Sequence, residues 1–481
     1  TLAGWITTMR PDLVADIPLH LTTSTPGNPQ NPLPTQITTQ IRILIHTGVL
    51  AAGDHLPSTR MLARQLGVAR GTVVAAYELL AAEGLTVSAH GSGTRVNPNL
   101  AQLAERRIDG TTPGAPTMPS APNAPAARLL PLIPGMPDTH TLIDSTWRAA
   151  WRDACTTASV TGTEPAATGT PQLREEISTH LRHMRGLVVN PDRIIVTAGA
   201  RDGLALLLNV LGPGTIGVES PGYPSLRRVP ATLGHTIVDL HTDHHGVNPA
   251  ELQHLQGLDR VLVTPSHQYP SGGSLSGSRR VALTSWAQHT NTVIIEDDFD
   301  SELRYVGQPL PALAALAPDH TVLLGTFSSV LSPALACGYI VAPARLLPTL
   351  TRLREALGPA VGGIPQHALT QYLATGALRR RTQRLRRVYR RRRNLITSLL
   401  ADAPGCHLRP ITGGLHAVLL CDAPAHQVVD ACRRSGIQVT ALHDYWGGQG
   451  EENGIVFGFG CHDDDTLDWA VNEIKYCVSC L

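Results

Sequence analysis

The sequence predicts an α/β protein in two parts: a small N-terminal winged helix-turn-helix, then a body built on a large, mostly parallel sheet followed by a smaller C-terminal α/β domain. Three observations carry this. Residues 33–96 run through apolar stretches at helical spacing, each closed by a glycine, and end in a hairpin pattern with a glycine-rich tip. Residues 97–129 hold Pro113, Pro116, Pro119, Pro122 and Pro125 among Gly, Ala and Thr, the composition of a semi-extended linker. From Leu130 onward short apolar runs alternate with helical stretches, as in strands covered on both faces. The expected boundaries are 1–96, 97–129 and 130–481, with the smaller domain from about residue 352.

Local spacing justifies the N-terminal elements. Residues 1–31 are rich in Pro and Thr and predict an irregular lead. Leu33, Ile37, Ile41, Leu44 and Ile45 predict a first helix that Gly48 closes. Met61, Leu62 and Leu66 before Gly67 predict a short second one. Val73, Val74, Ala76, Tyr77 and Leu80, opened at Ala69 and stopped by Gly84, predict a third. The short turn between the last two makes a helix-turn-helix. Leu85 to Val96 reads as a wing whose tip is His90-Gly-Ser-Gly-Thr94.

Composition narrows the classes. A chain of 481 residues with 42% apolar content can bury sizeable cores in two or three domains. The net charge of +1 excludes a body that is basic throughout, so nucleic-acid binding has to come from a local patch. No window approaches 18 uninterrupted apolar residues, and Arg10, Asp12 and Asp16 stand where a signal peptide needs an apolar block; no membrane association and a cytoplasmic location are the expectation. Eight scattered cysteines predict reduced thiols. Cys461-His462 with Cys477-x-x-Cys480 has zinc-type ligands, but the gap is long and irregular, so no metal is assigned.

The segment from Asn31 to Val96 resembles the winged helix of the GntR superfamily, matching its L-P-S-x-R-x-L-A, L-G-V-x-R-x-T-V and E-G-x(n)-G-S-G-T pieces in order. The resemblance implies double-stranded operator DNA as partner. The residues expected at the DNA are Ser58, Arg60, Arg70, Gly71 and Thr72 around the second and third helices, and Ser92, Gly93 and Thr94 at the wing tip. Taken singly, the arginines could equally be solvated helix caps. Ala69 stands where relatives commonly have serine, and Gly71 where they have a polar residue, so fewer side chains reach the DNA.

The body carries Thr197-Ala-Gly-Ala200-Arg201, Pro221-Gly-Tyr223, Glu296-Asp297-Asp298 and Gly325-Thr-Phe-Ser-Ser329, each at the end of an apolar run. In that order they resemble the cofactor motifs of MocR-type transcriptional regulators and of the fold-type I aminotransferases to which those are similar. The resemblance implies pyridoxal phosphate as cofactor and a homodimer. It implies that Ala200 and Arg201 belong to a phosphate-cradling turn, that Thr326 keeps a hydroxyl for the phosphate, that Tyr223 stacks on the ring and that Asp297 pairs with the ring nitrogen. A strand-end carboxylate satisfied by local amides is the plainer alternative for Asp297.

Four expected groups are missing. Ser329 replaces the Schiff-base lysine, and the sole lysine of the chain is Lys475, outside every motif. Ala336 replaces a phosphate-binding arginine, Phe299 a tyrosine donating to the ring oxygen, and Gly458 the arginine that some relatives aim at a substrate carboxylate. Each charged hydrogen bond of this kind is worth roughly 1.5–3 kcal/mol, so pyridoxal phosphate should bind weakly or not at all. The expected function is a transcription regulator, not an enzyme, whose aminotransferase-like domain serves dimerisation and senses an unknown small-molecule effector with no covalent cofactor. Two alternatives remain: non-covalent pyridoxal phosphate binding, or a lysine-independent enzyme with His267 as base. The ten arginines between Arg379 and Arg393 read as the solvated face of a basic helix.

Overall fold

The computed structural model describes residues 17, 19, 21, 32–89, 93–100, 129–156, 164–255, 257–307, 310–448, 450 and 452–481. The chain divides into two compact units, Thr1–Pro122 and Asn123–Leu481.

The first unit consists of α1 (Leu33–His46), α2 (Thr59–Leu66) and α3 (Arg70–Ala82), then the antiparallel pair β1 (Thr86–Ala89) and β2 (Gly93–Val96). Its local logic is that of the sequence. The Ser58 hydroxyl accepts from the Met61 amide and starts α2, while Gly67 at φ 64° ends it in the left-handed conformation that glycine adopts at no steric cost. Ile37, Ile41, Leu62, Val73, Ala76 and Leu80 are fully buried between the helices, and Tyr77 donates its hydroxyl to the Pro57 carbonyl at 2.8 Å. Ile17 and Leu19 also belong to this core, and the Ile17 carbonyl accepts from Gln65 Nε2, so part of the lead expected to be irregular is packed. Wing-tip residues 90–92 and most of the Pro-rich stretch lie outside the described residues.

The second unit is organised around an eight-stranded sheet in the order β4-β11-β10-β9-β8-β5-β6-β7. Its strands are β4 (Ile194–Thr197), β5 (Thr215–Ser220), β6 (Thr236–Asp243), β7 (Gly246–Val247), β8 (Arg260–Val263), β9 (Val293–Asp298), β10 (Thr321–Thr326) and β11 (Gly338–Val341). β5, β6, β8, β9 and β10 run parallel, while β11 lies antiparallel between β4 and β10 and β7 is antiparallel at the edge. β4, β8 and β11 are buried along their whole length, which is why they read as continuous apolar runs rather than alternating ones. Gly325 faces Tyr339 across β10 and β11; a Cβ there would sit 2.1 Å from the Tyr339 ring, so only glycine lets the two strands pack.

A smaller antiparallel sheet holds β12 (Cys406–Leu408), β13 (His416–Cys421), β16 (Gly454–Gly458) and β15 (Thr440–Ala441) in that order, while β3 (Leu130–Pro131) pairs with β14 (Ile437–Gln438). The expected boundary near 352 falls inside the helix Leu347–Leu357. No described helix is long and apolar enough to cross a membrane.

The basic run corrects the sequence reading in part: Arg379, Arg380, Arg384, Arg387, Arg390 and Arg391 are exposed as expected, but others turn inward. The run lies in a 24-residue helix, Ala377–Leu400, whose inner face carries Leu378, Arg381, Leu385, Tyr389, Arg392, Ile396 and Leu400. Arg381 is 1% and Arg392 5% exposed. Arg381 donates to the Val330 carbonyl at 2.8 Å, to Thr141 Oγ1 at 3.2 Å and to the Asp138 carbonyl. Arg392 donates to the Gly460 carbonyl at 2.7 Å and pairs with Asp464 at 3.1 Å, and Arg393 donates to the Ile411 carbonyl at 2.8 Å. These side chains face inward because they satisfy loop carbonyls that would otherwise be buried without a donor.

Candidate functional site

In the first unit the residues expected at DNA fall at the start of α2, at the start of α3 and on the wing. Ser58, Arg60, Arg70, Gly71 and Gly93 are exposed, and Thr72 and Thr94 are half-buried; Ser92 lies outside the described residues. Arg70 Nε donates to Thr59 Oγ1 at 3.3 Å, which ties the start of α3 to the start of α2. α3 begins on Ala69 with no capping side chain; the Thr72 amide bonds the Ala69 carbonyl at 3.0 Å, which leaves the amides of Arg70 and Gly71 open, with the positive end of the helix dipole behind them. The Ser58 oxygen is committed as a cap, leaving its proton to donate outward. Thr94 Oγ1 lies 3.1 Å from Ser88 Oγ across the wing.

In the second unit the C-terminal ends of β4, β9 and β10 converge on a cavity of about 210 Å3. Ala200, Arg201, Tyr223, Asp297, Phe299, Thr326, Ser329 and Ala336, all singled out from the sequence, line it. Tyr269, Leu226, Pro333 and the Pro134-Gly135 segment line it too and were missed, as was Ser328, although it stands inside the Gly325–Ser329 motif.

Each lining group has a definite state. Ser329 is 6% exposed and donates its hydroxyl to the Phe299 carbonyl, so the residue in the lysine position is spent on the backbone. Thr326 Oγ1 donates to Ser328 Oγ at 2.9 Å and accepts from the Ser328 amide at 3.1 Å. Ala336 sits in the left-handed region at φ 44°, its methyl offering nothing to an anion. Tyr223 is 43% exposed, edge-on to Tyr269 at 5.1 Å between centroids.

Asp297 is 3% exposed, and its Oδ1 has no hydrogen-bond partner among the described residues. Strand alternation explains this. Glu296 and Asp298 point to the opposite face of β9, where Arg185 lies 3.9 Å from the first and 2.9 Å from the second, and Asp297 receives no such cation. Burial, then the carboxylates of Asp298, Asp300, Glu219 and Glu296, hold its carboxyl well above the usual range.

Two expected residues lie elsewhere. His267 is not in the wall: it is buried behind Phe299, ring centroids 6.1 Å apart, with Nδ1 2.7 Å from Asp300 Oδ2. A base aimed at a ligand is therefore not what His267 offers here. At Gly458 a Cβ would sit 2.0 Å from the Ile133 carbonyl oxygen, so this backbone leaves no space there for an arginine. Lys475, on the helix Asp464–Ser479, donates to the Leu399 carbonyl at 2.9 Å. Tested against pyridoxal phosphate, the cavity fits at the carboxylate and at the helix start, but no amine lines it; the residues present do not fit a covalently held cofactor.

Residues 33–96 match the family described as bacterial regulatory proteins, gntR family. Over 472 residues the chain is 55% identical to the HTH-type pyridoxine biosynthesis transcriptional regulator PdxR of Corynebacterium glutamicum, covering 97% of this chain and 100% of that protein. The chain belongs to the GntR-family transcriptional regulators of the MocR type. This regulator is also 29% identical over 482 residues to the probable rhizopine catabolism regulatory protein MocR of Rhizobium meliloti, covering 96% of this chain and 94% of that one. Among solved structures its second unit is similar to an archaeal alanine:glyoxylate aminotransferase, with a TM-score of 0.68 at 23% identity over 73% of this chain and 90% of the other. A multiple substrate aminotransferase from Thermococcus profundus gives 0.67 at 20% identity, over 73% and 91%. At these identities the likeness establishes the fold, that of the fold-type I aminotransferases.

Proposed function

We propose that this GntR-family regulator binds operator DNA through its winged helix as a homodimer, and that its aminotransferase-like unit is a non-enzymatic sensor holding its effector without a covalent bond. The single observation that carries the sensor reading is Ser329: at the end of a preserved turn it bonds the Phe299 carbonyl, and the only side-chain amine of the chain is Lys475. A serine hydroxyl forms no imine, and without an amine in the wall the proton shuttle of transamination has no carrier. The identity to PdxR supports an operator controlling pyridoxine biosynthesis.

The reading is tested in one preparation. The protein should retard promoter DNA of a pyridoxine-biosynthesis gene in a mobility-shift assay. Treatment with pyridoxal phosphate and then borohydride should leave no pyridoxyl group on a peptide lining the cavity. A pyridoxyl mark on such a peptide by mass spectrometry overturns the non-covalent reading, and failure to retard the DNA overturns the operator assignment.

A further inference from the structure

Four cysteines, Cys406, Cys421, Cys432 and Cys477, belong to the core that the smaller sheet shares with its helices, and only Cys406 among them is half-buried rather than buried. Cys406 on β12 and Cys421 on β13 stand directly opposite each other in the antiparallel register. The ladder shows what kind of pair this is. The Asp422 amide bonds the Gly405 carbonyl at 2.9 Å and the Arg409 amide bonds the Val418 carbonyl at 3.0 Å. Those are hydrogen-bonded pairs, as is His407 with Leu420 by alternation, so Cys406 and Cys421 form a non-hydrogen-bonded one. Such pairs bring opposite Cα atoms to about 4.5 Å with both side chains on one face. A disulfide takes Cα atoms about 4.4–6.8 Å apart. Each sulfur now makes only a long contact, Cys406 with the Ala403 carbonyl at 3.7 Å and Cys421 with the Leu419 carbonyl at 3.5 Å, so rotation about the two Cα–Cβ bonds is the movement that closure requires.

We propose that Cys406 and Cys421 are a redox-active dithiol that a hydroperoxide closes into a cross-strand disulfide. Cys406 is the sulfur that solvent reaches. Its thiolate attacks one peroxide oxygen, the O–O bond breaks, and the other oxygen leaves with the proton Cys406 gave up, as an alcohol or water. The Cys421 sulfur then displaces the sulfenic hydroxyl, which departs with the Cys421 proton as water while the S–S bond forms. Two thiols are oxidised and one peroxide is reduced. Burial and then the Asp422 carboxylate hold the Cys406 thiol up, while the Lys475 ammonium draws it back; burial is the main cause that pushes Cys421 up to about 12. Neither thiolate is favoured, so the pair oxidises slowly, and no stabilised thiolate draws the closed bond back to the dithiol. Closure staples β12, the edge strand on which the chain returns from the helix Ala377–Leu400, to β13 inside the sheet.

The test maps thiols on the full chain, freed of reductant, with Cys155→Ser and Cys480→Ser removing the two exposed thiols. The peroxide concentration is one that oxidises Cys480 in the unsubstituted chain. After peroxide, alkylation and peptic digestion without reductant, the peptide carrying Cys406 should be joined to the one carrying Cys421, and the six remaining thiols should fall to four. Dithiothreitol should restore all six. Cys421→Ala should abolish the crosslink and leave on Cys406 a sulfenic acid that dimedone labels; Cys406→Ser should abolish both crosslink and label. Six free thiols after peroxide overturn the proposal, and so does a crosslink between Cys432 and Cys477 in place of the expected one. Should either variant fail to fold, the crosslink map of the chain with Cys406 and Cys421 intact decides by itself.

Discussion

Replacing Arg381 with methionine tests whether the basic helix is a structural clamp. The substitution keeps an unbranched stem of similar length but removes three hydrogen bonds from a side chain that is 1% exposed. Two of the acceptors, the Val330 and Asp138 carbonyls, are backbone groups left with one partner fewer in a buried place. Each such loss costs about 1–3 kcal/mol. Against this, burial already penalises the guanidinium, as the downward shift of its pKa shows, and removing the charge returns part of that cost. The expected net loss is about 2–4 kcal/mol, read as a lower denaturant midpoint with unchanged slope in guanidinium unfolding of the second unit's transition. Arg379→Met and Arg387→Met, on the exposed side of the same helix, should each change stability by less than about 0.5 kcal/mol. A loss below about 1 kcal/mol for Arg381→Met would refute the clamp and restore the solvated-face interpretation.

Arg60→Ala and Arg70→Ala should each weaken promoter binding several-fold and reduce the slope of log affinity against log salt by about 0.9, measured by mobility shift at several salt concentrations; unchanged affinity removes these residues from the DNA face. Light scattering should give twice the chain mass at micromolar concentration, and a monomer with and without DNA would end the dimer proposal. Glu219, fully buried beside Thr264, has its carboxyl pushed up to about 7 by burial, so between pH 4.5 and 7 the folded state holds a proton that the unfolded state has released. Its stabilisation is therefore complete below pH 4.5 and lost as pH rises through 7. Glu219→Gln should fall behind the wild type progressively as pH drops across that window, by up to about 1.4 kcal/mol per unit. His416, pushed down to about 3 chiefly by burial, acts oppositely: the unfolded chain binds a proton below 6.5 that the folded chain refuses. His416→Phe should flatten the loss of wild-type stability between pH 6.5 and 3.

The winged helix was legible because its signals are local: Gly67 and Gly84 stop helices through their own backbone preference, and the core positions recur at helical spacing. The cavity was legible residue by residue because α/β sheets gather strand ends at one edge, which brought Ala200, Asp297 and Thr326 together from distant positions. Burial of individual charged side chains was not. Arg381 and Arg379 look alike in sequence, and only the turn of the helix against Val330 and Asp138 separates a buried guanidinium from an exposed one. His267 was misplaced for the same reason: adjacency to a motif does not say which side of Phe299 a ring occupies.

Lys475 has one more consequence. Its Nζ is partly accessible and anchored to the Leu399 carbonyl, on a helix packed against Ala377–Leu400. Amine-directed reagents, which decorate an ordinary protein at dozens of places, meet a single side-chain target here. A fluorophore coupled at mildly alkaline pH would report from one side-chain position, at the seam of two helices, the α-amine of the chain being the other amine it meets. The same scarcity makes reductive trapping unusually clean, because a pyridoxyl label found on the Lys475 peptide marks surface chemistry and a label elsewhere in the second unit would have no side-chain amine to explain it.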